Sequence, residues 1–578
     1  MNIKEIIRII PPAYRKQGIG ITFSVLLQAL LNFIGLALLV PILIFILDPH
    51  SARFAFIAGK FRTIMHLSND TSFVIIVCAG TGGLIILKNV LILLINSFKT
   101  KYINRLFLYF SEKMYSIYFR KGFLFVKQNH TTSFAHKING ICLIFVQGIV
   151  SRLFIMGGEI LLLIMIGSAL FFYSYLLALL LVICLVPAVW FYYFRIRKKI
   201  SQYGKLENEV WRKQARLITE TFRGYPDVRI NRAFPLLVER FHDGLSKIAF
   251  YREKLERMMS IPDGLTEFGV AIGMILLVLF TRGDSSAKIT FGISAVAAMR
   301  IMPSIRTLVT GWIQLKNNEH AIETIREALN IADEELDLSE NWLSAPQTPL
   351  HFKQKIEING LTFRFPDAGA DEPPVIQDFS LTIRKSERLG IRGVSGIGKT
   401  TLFNLLLGLY YPQEGSIRID GVPLESDRYP AWYDLTGYVP QDVFIMDSSL
   451  IENIAFGKAL EEIDRERITE VLEKAQLSAF VATLPEGVDT RIGENGCRLS
   501  GGQRQRVGIA RALYKQAEVL FFDEATSSLD SATEKEITEA IRKLSDNHQD
   551  LTLILIAHRE SSLAFCDRII DLNTIFDR

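Results

Sequence analysis

The chain has 578 residues and a formal net charge of +5, and 49% of its residues are hydrophobic. So small a charge at this length gives no support to nucleic-acid binding. A mean hydropathy of +0.25 does not fit a chain that is soluble along its whole length. The five cysteines show no paired spacing, which disfavours a disulfide framework and a zinc site.

The apolar residues are concentrated in the first part of the chain. Nearly all long apolar runs precede about residue 315, and strand-like and helix-like segments alternate after about residue 355. Residues 331–350 are acidic and then proline-punctuated, which is typical of a linker. We therefore predict a helical membrane domain over 1–330, a linker over 331–354 and an α/β domain over 355–578.

The first ten residues predict a short helix on the membrane surface. Isoleucines recur at helical spacing, Lys4 and Arg8 lie off their stripe, and two prolines close the segment. The isoleucines are Ile3, Ile6, Ile7 and Ile10. A signal peptide is disfavoured, because the next apolar run is too long and no small-residue cleavage site follows it.

Six segments are apolar enough to cross a membrane, at roughly 20 residues per span. They cover residues 18–47, 72–96, 153–173, 176–194, 265–281 and 289–315. Lysines and arginines crowd the polar segments between spans two and three and between spans four and five. The positive-inside tendency therefore places those segments and both termini in the cytoplasm. The external side receives residues 48–71, the corner 173–175 and the turn near 283–284.

Helical periodicity continues beyond the membrane edge. Residues 98–127 and 195–258 keep amphipathic patterns, and the segments 128–139 and 220–227 interrupt them. About 17 extra residues of helix project roughly 25 Å. We predict long helices that extend into the cytoplasm and are joined in pairs by short turns. The alternative is two small helical hairpins with no mechanical role.

A phosphate-binding loop is predicted at residues 393–400. Their sequence fits G-x-x-x-x-G-K-[ST], between a predicted strand over 388–392 and a predicted helix over 401–407. Backbone N–H groups in such a loop form an anion nest, and the helix N-terminus adds positive potential. Lys399 would reach the β- and γ-phosphates, and Thr400 would hold Mg²⁺. The predicted phosphate-binding residues are Gly393, Ser395, Gly396, Gly398, Lys399, Thr400 and Thr401.

Two carboxylates end an apolar run over residues 519–522. A run with no polar residue suits a central parallel strand. Asp523 at its end is placed to reach the same Mg²⁺, and Glu524 is placed to polarise the attacking water. The alternative is a strand followed by an acidic helix cap. That alternative explains the acids but leaves the phosphate loop unexplained.

Residues 499–503 read Leu-Ser-Gly-Gly-Gln, which resembles the signature of the ABC transporter superfamily. Gln441 resembles its Q-loop, Asp530 its D-loop, His558 its switch histidine and residues 489–496 the cross-contact loop of exporters. These motifs stand in family order. With the six-span region before them, the chain resembles an exporter-type half-transporter. The implied fold is an α-helical six-span transmembrane domain plus an α/β P-loop nucleotide-binding domain.

The resemblance implies a division of labour within the site. Glu524, His558 and Gln441 would be catalytic, and Thr400, Gln441 and Asp523 would hold Mg²⁺. Further ATP-binding residues would be Phe365, Ser500, Gly501, Gly502, Gln503 and Asp530. Phe365 stands where the family usually has a tyrosine that stacks on adenine, and a phenyl face still stacks. The chain also stops soon after residue 572, without the family's acidic-glycine tail, which is peripheral to catalysis.

The family mechanism also implies a second copy of the chain. The signature loop of one subunit closes on the phosphate loop of the other, so Ser500 and Gly502 would meet a γ-phosphate held by the partner. ATP would favour the closed homodimer, and hydrolysis would open it. The segments 128–139 and 220–227 resemble the coupling helices that pass this motion to the spans.

Charged residues inside the predicted spans are candidates for substrate binding, because such charges are costly in lipid. They are Lys88, Glu159, Glu267, Arg300 and Arg306. Residues 298–306 resemble the sixth span of lipid-linked oligosaccharide flippases, and an apolar set over 54–67 resembles their amphipathic segment after span one. The resemblance implies a polyprenyl-pyrophosphate saccharide as substrate. The alternative is that Lys88 and Arg306 snorkel towards the interface or lie on parts of the helices outside the hydrocarbon.

We expect Arg300 and Arg306 to hold the pyrophosphate, with Lys88 and Glu159 as further site candidates. Six residues of straight helix place the two arginines about 120° apart, so they share one cavity only if Pro303 bends the helix or the cavity is wide. The rival functions are a multidrug, lipid or peptide exporter and an ATP-gated channel or regulator. The presence of Glu524 and His558 favours a pump. We predict a multi-pass protein of a bacterial inner membrane.

Overall fold

The computed structural model describes most of the chain in two compact units. The described residues are 3–40, 42–43, 70–129, 131–280, 287–335, 350–369, 372–425, 427–493, 496–524, 531–547, 550–557 and 559–576. The membrane unit comprises Met1–Phe119 and His130–Asn330. The sheet unit comprises Arg120–Asn129 and Ile331–Arg578. The predicted amphipathic set over 54–67, the turn near 283–284 and linker residues 336–349 lie outside the described residues.

Long helices dominate the part of the chain before the sheets. Their bounds are Ile3–Ile9, Pro12–Ala37, Asp70–Arg120, Gly122–Gln128, Thr131–Ala135, Ser151–Tyr173, Tyr175–Arg223, Tyr225–Ile230, Phe234–Phe280, Ala287–Asn317 and Glu319–Glu335. Wide π-type turns cover His136–Ile141 and Ile144–Val150. The last helix ends at Glu335, so it extends into the segment predicted to be linker.

Five helical segments of the described residues are long and apolar enough to cross a membrane. They are Pro12–Ala37, Cys78–Arg120, Ser133–Tyr173, Phe234–Leu276 and Lys288–Asn317. They contain or overlap predicted spans one, two, three, five and six. The fourth predicted span, residues 176–194, lies within the helix Tyr175–Arg223.

The membrane unit leaves much apolar surface uncovered. Phe172 is 87% exposed, and Leu93 and Ile86 are also exposed. Inside the unit, the first, third and sixth spans pack together through a cluster of buried apolar side chains that includes Ala29, Leu162 and Ile301. Apolar side chains that face outward along whole helices are expected of a surface in contact with lipid.

Two helices continue well beyond any membrane thickness. Tyr175–Arg223 has 49 residues and Phe234–Phe280 has 47. Gln214 is buried between them and donates from Nε2 to the carbonyl oxygen of Phe241 at 2.6 Å. A Cβ on Gly244 would lie 2.0 Å from that amide nitrogen, so glycine lets the helices approach closely. The long predicted extensions and the break within 220–227 are confirmed, the latter by the helix end at Arg223.

The other predicted break, at residue 128, is preceded by one that was not predicted. The helix from Asp70 already ends at Arg120, within the segment 98–127 that was predicted to be one continuous helix. Gly122 follows with φ +82°, a left-handed conformation that a residue with a side chain rarely adopts. The short helix Gly122–Gln128 then belongs to the sheet unit. That helix ends at Gln128, and Asn129 after it is extended, so the break predicted to start at residue 128 is confirmed and the break before Gly122 is an additional one.

The sheet unit contains two sheets. The strands are β1 Lys355–Phe363, β2 Ile376–Arg384, β3 Arg388–Arg392, β4 Glu414–Ile419, β5 Val422–Pro423, β6 Thr436–Val439, β7 Val519–Asp523, β8 Thr552–Ile556 and β9 Arg568–Asp571. An antiparallel sheet has the order β2-β1-β4-β5, and a parallel sheet has the order β6-β7-β8-β3-β9. The pure apolar runs of β7 and β8 are buried at every residue, as central parallel strands require.

Helices cover the sheets. The carboxyl ends of the parallel strands lie at one edge of their sheet. The helices are Lys399–Leu406, Tyr429–Leu435, Leu450–Ile454, Arg465–Lys474, Ser478–Val481, Gly501–Tyr514, Ser531–Asn547, Glu560–Leu563 and Leu572–Ile575. β3 lies beside β8, and β8 lies beside β7. Because parallel strands end on the same edge, the loop after β3 and the acids after β7 are brought together.

Candidate functional site

The phosphate-binding loop has the backbone that its sequence predicts. It joins strand β3, which ends at Arg392, to the helix Lys399–Leu406. Gly396 and Gly398 have φ angles of +87° and +107°, which only glycine adopts readily. A Cβ on Gly398 would also lie 3.1 Å from Cγ1 of Val375. The predicted strand is confirmed, and the helix starts two residues earlier than predicted.

Lys399 lies inside this loop. Its side chain is only 5% exposed, and Nζ donates to the carbonyl oxygens of Gly393 at 2.8 Å and Val394 at 3.1 Å. Burial lowers the pKa of Lys399, and the charges of Glu524 and Asp523 act against that change. The loop thus carries a fixed cation beside two carboxylates, as a site for an anionic phosphate chain requires.

Asp523 is the buried acid of the site. It ends β7 and is 5% exposed, and its Oδ1 is buried without a hydrogen-bond partner among the described residues. Burial raises its pKa to about 6, and the charge of Glu524 adds to the rise. The hydroxyl groups of Tyr438 and Thr400 and the charge of Lys399 act in the opposite direction.

These residues fit a divalent cation. An orphaned carboxylate oxygen inside the protein is costly unless a positive group meets it. Oxygen ligands from a carboxylate, a hydroxyl and an amide suit Mg²⁺, and Asp523, Thr400 and Gln441 offer those groups. Thr400 is the second residue of the helix that Lys399 begins. Gln441 lies two residues after the end of β6, the strand that pairs with β7.

Glu524 is held in an unusual backbone conformation. Its φ is +49°, and its N–H donates to the carbonyl oxygen of Ile556 at 3.0 Å. A non-glycine residue in the left-handed region is strained, and such strain concentrates at functional sites. The turn directs the chain off the sheet immediately after Asp523, so the two neighbouring carboxylates take different environments: Asp523 is buried and Glu524 is half-buried.

Gln505 holds the backbone of the predicted Q-loop, a role that was not predicted from the sequence. It lies on the helix Gly501–Tyr514 and is 3% exposed. Its Nε2 donates to the carbonyl oxygen of Gln441 at 2.7 Å and to that of Pro440 at 3.3 Å. The helix that starts at the signature therefore fixes the segment that carries Gln441. A glutamine two residues after the signature was the only available signal.

We expect Gln505→Ala to slow ATP hydrolysis about tenfold while ATP affinity changes little, because it frees the Gln441 backbone without touching the phosphate loop. The measurement is ATPase rate and nucleotide binding on purified full-length protein. Gln503→Ala is not a suitable control, since Gln503 caps the same helix. Gln516→Ala, beyond the far end of that helix, is the matched control. Equal rates in the Gln505 and Gln516 variants would contradict this role.

The signature residues build the start of their own helix. Ser500 is the N-cap, and its Oγ accepts from the N–H of Gln503 at 3.2 Å, while Gln503 Oε1 accepts from the N–H of Ser500 at 2.8 Å. This is a capping box. A Cβ on Gly502 would lie 2.6 Å from Cγ2 of Thr533. Gly502 thus permits close packing of the helix Ser531–Asn547, whereas Ser500 is exposed.

Phe365 belongs to an aromatic group that also includes a residue of the Gly122–Gln128 helix. The Phe365 ring meets those of Phe363 at 5.2 Å and Tyr410 at 5.8 Å, both edge to face. Tyr410 stacks on Phe363 at 5.3 Å and lies 5.8 Å from the ring of Phe123. Two residues after Phe365, Asp367 accepts from Nε2 of Gln128 at 2.7 and 2.6 Å.

Two predicted site residues, Asp530 and His558, lie outside the described residues. Glu534, which follows Asp530 in the chain, has a buried carboxylate that contacts residues shortly after His558. Glu534 accepts hydrogen bonds from the guanidinium of Arg559 and from Oγ of Ser562, the latter at 2.7 Å. Arg559 follows His558 in the chain. Glu534 was not singled out from the sequence.

The membrane unit brings together two of the predicted substrate residues. Nη2 of Arg300 lies 3.2 Å from Oε1 of Glu159, so the two form an ion pair. Arg306 is exposed and Arg300 half-buried, in line with their angular separation on the helix Ala287–Asn317, which contains Pro303. The stem of Lys88 lies against the first span, where a Cβ on Gly35 would meet its Cδ at 2.8 Å.

Comparison with known proteins agrees with this site. Residues 376–527, which include the phosphate loop, the signature and both acids after β7, match the family model described as ABC transporter. The whole chain also resembles a solved structure described as a bacterial Atm1-family ABC exporter with ATP bound. The TM-score is 0.71 at 21% identity, over 96% of this chain and 93% of that one.

The chain therefore belongs to the ABC transporter family, with the half-transporter arrangement of a helical membrane domain followed by an ATP-binding domain. Its apolar helices make it a multi-pass membrane protein. The predicted family, fold class and ATP binding are confirmed.

The curated relatives include proteins named ATP-dependent lipid A-core flippase. That of Alkalilimnicola ehrlichii is 35% identical over 62% of this chain and 59% of its own length. That of Burkholderia pseudomallei is 30% identical over 70% of this chain and 66% of its own length, and that of Burkholderia orbicola is 29% identical over 68% and 64%. The matches thus span less than two thirds of these relatives.

Proposed function

We propose that the chain is an ATP-hydrolysing exporter of the flippase type, and that it moves an amphipathic anionic glycolipid across a membrane. The observation that carries the proposal is the site after β3 and β7, in which Lys399 and two carboxylates meet in the same chain as the membrane-spanning helices. Because both belong to one chain, nucleotide binding at that site can act on the helices.

Each residue of this site has a separate role in the proposed ATP hydrolysis. Lys399 and the loop amides would bind the phosphates, and Thr400, Asp523 and Gln441 would hold Mg²⁺, which would supply positive charge beside those phosphates. Glu524 orients and deprotonates the attacking water. We assign the switch-histidine role to His558.

The active form would be a homodimer. Ser500 is exposed at the start of the signature helix, where it is available to a phosphate held by another subunit. A helix N-terminus favours an anion, and a hydroxyl adds a donor. The site of one chain is then completed by its partner. The basic segments beside the spans favour cytoplasmic termini, in a bacterial inner membrane.

The substrate class we propose is a polyprenyl-pyrophosphate saccharide. The support is the sequence resemblance over 298–306 and the presence of Arg300 and Glu159 between the third and sixth spans. The relatives named lipid A-core flippase favour a second candidate, a lipid A-type glycolipid. Both candidates carry phosphate next to saccharide on a large apolar anchor, so the same cationic contacts would suit either.

Reconstitution in liposomes distinguishes the substrates. The lipids are a fluorescent polyprenyl-pyrophosphate oligosaccharide, a lipid A-core glycolipid and an uncharged amphipathic drug, and the readout is ATP-dependent movement between leaflets. We expect the polyprenyl lipid to move fastest and to stimulate hydrolysis. Movement of the lipid A-core alone would select the second candidate. Movement of the drug alone would reject both, and no ATP-dependent movement of any of them would reject the flippase function.

A further inference from the structure

A compact polar cluster joins the third and sixth predicted spans. Nη2 of Arg300 lies 3.2 and 3.3 Å from the two carboxylate oxygens of Glu159, and Ser304 Oγ donates to Glu159 Oε2 at 2.6 Å. Ser304 Oγ also lies 3.1 Å from the carbonyl oxygen of Arg300. Glu159 belongs to the helix Ser151–Tyr173, and the other two residues to the helix Ala287–Asn317.

The cluster has little contact with water. Ser304 is fully buried, and the side chains of Arg300 and Glu159 are 25% and 19% exposed. Ile301, next to Arg300, and Leu162, three residues from Glu159, belong to the apolar cluster of these helices. In such surroundings a single charge is costly and needs a partner of opposite sign. Glu159 supplies that partner for Arg300.

The ion pair leaves much of the guanidinium unused. One nitrogen, Nη2, serves both carboxylate oxygens, and the distances exceed the 2.7–2.9 Å that is usual for a charge-assisted bond. Nη1 and Nε make no hydrogen bond to any residue that the structure describes. A guanidinium binds most strongly through two parallel N–H groups, as it does with phosphate. Glu159 is therefore a sufficient counter-charge but an imperfect ligand.

A phosphate group offers the same charge as the carboxylate and more acceptor oxygens. It cannot simply join the pair, because two anions beside one cation in a low-dielectric site repel each other. Binding at Arg300 therefore requires the carboxylate to move away. Part of Arg300 remains exposed, so an incoming head group can reach it.

We propose that Glu159 is a built-in competitor for Arg300, which a phosphate-bearing lipid head group must displace in order to bind. This deepens the proposed function and rests on its anionic substrate class. Displacement also removes the ion pair that ties the third span to the sixth. Substrate binding would therefore loosen the contact between these two helices of the membrane unit. A lipid without phosphate would leave the pair intact.

The test measures affinity without nucleotide, in micelles of a maltoside detergent, which carries no phosphate. The probes are a polyprenyl pyrophosphate, the matching polyprenyl alcohol and inorganic pyrophosphate. Glu159→Gln retains the shape and an acceptor for Ser304 but removes the competing charge, so we expect at least about fivefold tighter binding of the polyprenyl pyrophosphate. Arg300→Gln should weaken that binding by a similar factor. The alcohol should bind all variants alike.

The double variant Glu159→Gln/Arg300→Gln separates competition from a general effect. We expect it to bind no tighter than Arg300→Gln, since Glu159 acts only through Arg300. It leaves no unpaired buried charge, so it remains informative if Arg300→Gln alone is unstable. Glu239→Gln is the matched control, because Glu239 is an exposed acid of the same unit, outside the predicted spans, that makes no ion pair with the described residues. We expect its affinity to stay within about twofold of wild type.

Three results would overturn the proposal. They are unchanged or weaker binding in Glu159→Gln, a gain that persists without Arg300, and equal gains in Glu159→Gln and Glu239→Gln. Tighter binding of inorganic pyrophosphate together with the lipid would show that phosphate chemistry alone is recognised, which supports the competition. A failure here leaves ATP-driven movement of glycolipids intact, because that is read from the liposome assay and not from binding without nucleotide.

Discussion

Glu524→Gln is expected to bind ATP as wild type does and to hydrolyse it at least about 100-fold more slowly. The amide has the size of the carboxyl group but cannot take a proton from the attacking water. Asp523 and Lys399, which lie deeper in the site, are unchanged by this substitution, so the phosphates and Mg²⁺ should still bind. The left-handed backbone at position 524 is equally open to glutamine.

Nucleotide binding and phosphate release are measured on the purified full-length chain. Glu518→Gln is the matched control, since it removes a carboxylate just before the opposite end of the same strand, where it pairs with Lys385 at 3.0 Å. That pair is partly exposed, and we expect less than a twofold change in rate. Wild-type hydrolysis in Glu524→Gln would remove Glu524 from the role of base. A matching loss of ATP affinity would instead show that the side chain binds nucleotide.

The residues around the phosphates were the most predictable part of the protein. The loop after β3, the acids after β7 and the signature are contiguous motifs whose chemistry requires fixed spacing, so the sequence alone located them. Gln505 and Glu534 escaped detection because they act across the fold: Gln505 reaches the backbone at Gln441, and Glu534 meets Arg559. Such contacts depend on tertiary packing, and local sequence patterns do not reveal which distant residues meet.

The membrane unit was predictable in outline for a different reason. Apolar length locates spans, and helical periodicity located the extensions that reach Arg223 and start again at Phe234. What periodicity cannot reveal is which charged residues meet. Arg300 was predicted as a ligand for pyrophosphate, and the structure pairs it with Glu159 from 141 residues earlier in the chain. The candidate residue was well chosen, but its counter-charge had to be seen in three dimensions.

The short helix Gly122–Gln128 shows the same limit and has a mechanical consequence. It continues directly from the helix Asp70–Arg120, which contains the second span, yet it packs within the sheet unit. Leu124 packs against the apolar core of that unit, and Phe123 meets the ring of Tyr410. Tyr410 in turn touches Phe365, the residue predicted to stack on adenine. The helix is thus joined to the predicted adenine-binding loop.

The double variant Phe123→Ala/Gln128→Ala is therefore expected to retain ATP hydrolysis and to lose at least about tenfold in lipid moved per ATP, a change equivalent to about 1.4 kcal/mol. An aromatic pair contributes about 0.5–1.5 kcal/mol, and a hydrogen bond to a charged group about 1.5–3 kcal/mol. The bond from Gln128 to Asp367 is exposed, so its share is at the lower end. We expect their combined loss to undock the helix for part of the time, although Leu124 still packs against the core.

The measurement is the ratio of lipid movement to phosphate release in the same liposomes. Val126→Ala is the matched control, because Val126 lies on the same helix with its side chain exposed, and we expect its ratio to stay within about twofold of wild type. An unchanged ratio in the double variant would show that force reaches the spans by another route. A fall in hydrolysis itself would show instead that Phe123 and Gln128 support the position of Phe365. The two readouts separate transmission from nucleotide binding, since only transmission changes the ratio at constant ATP turnover.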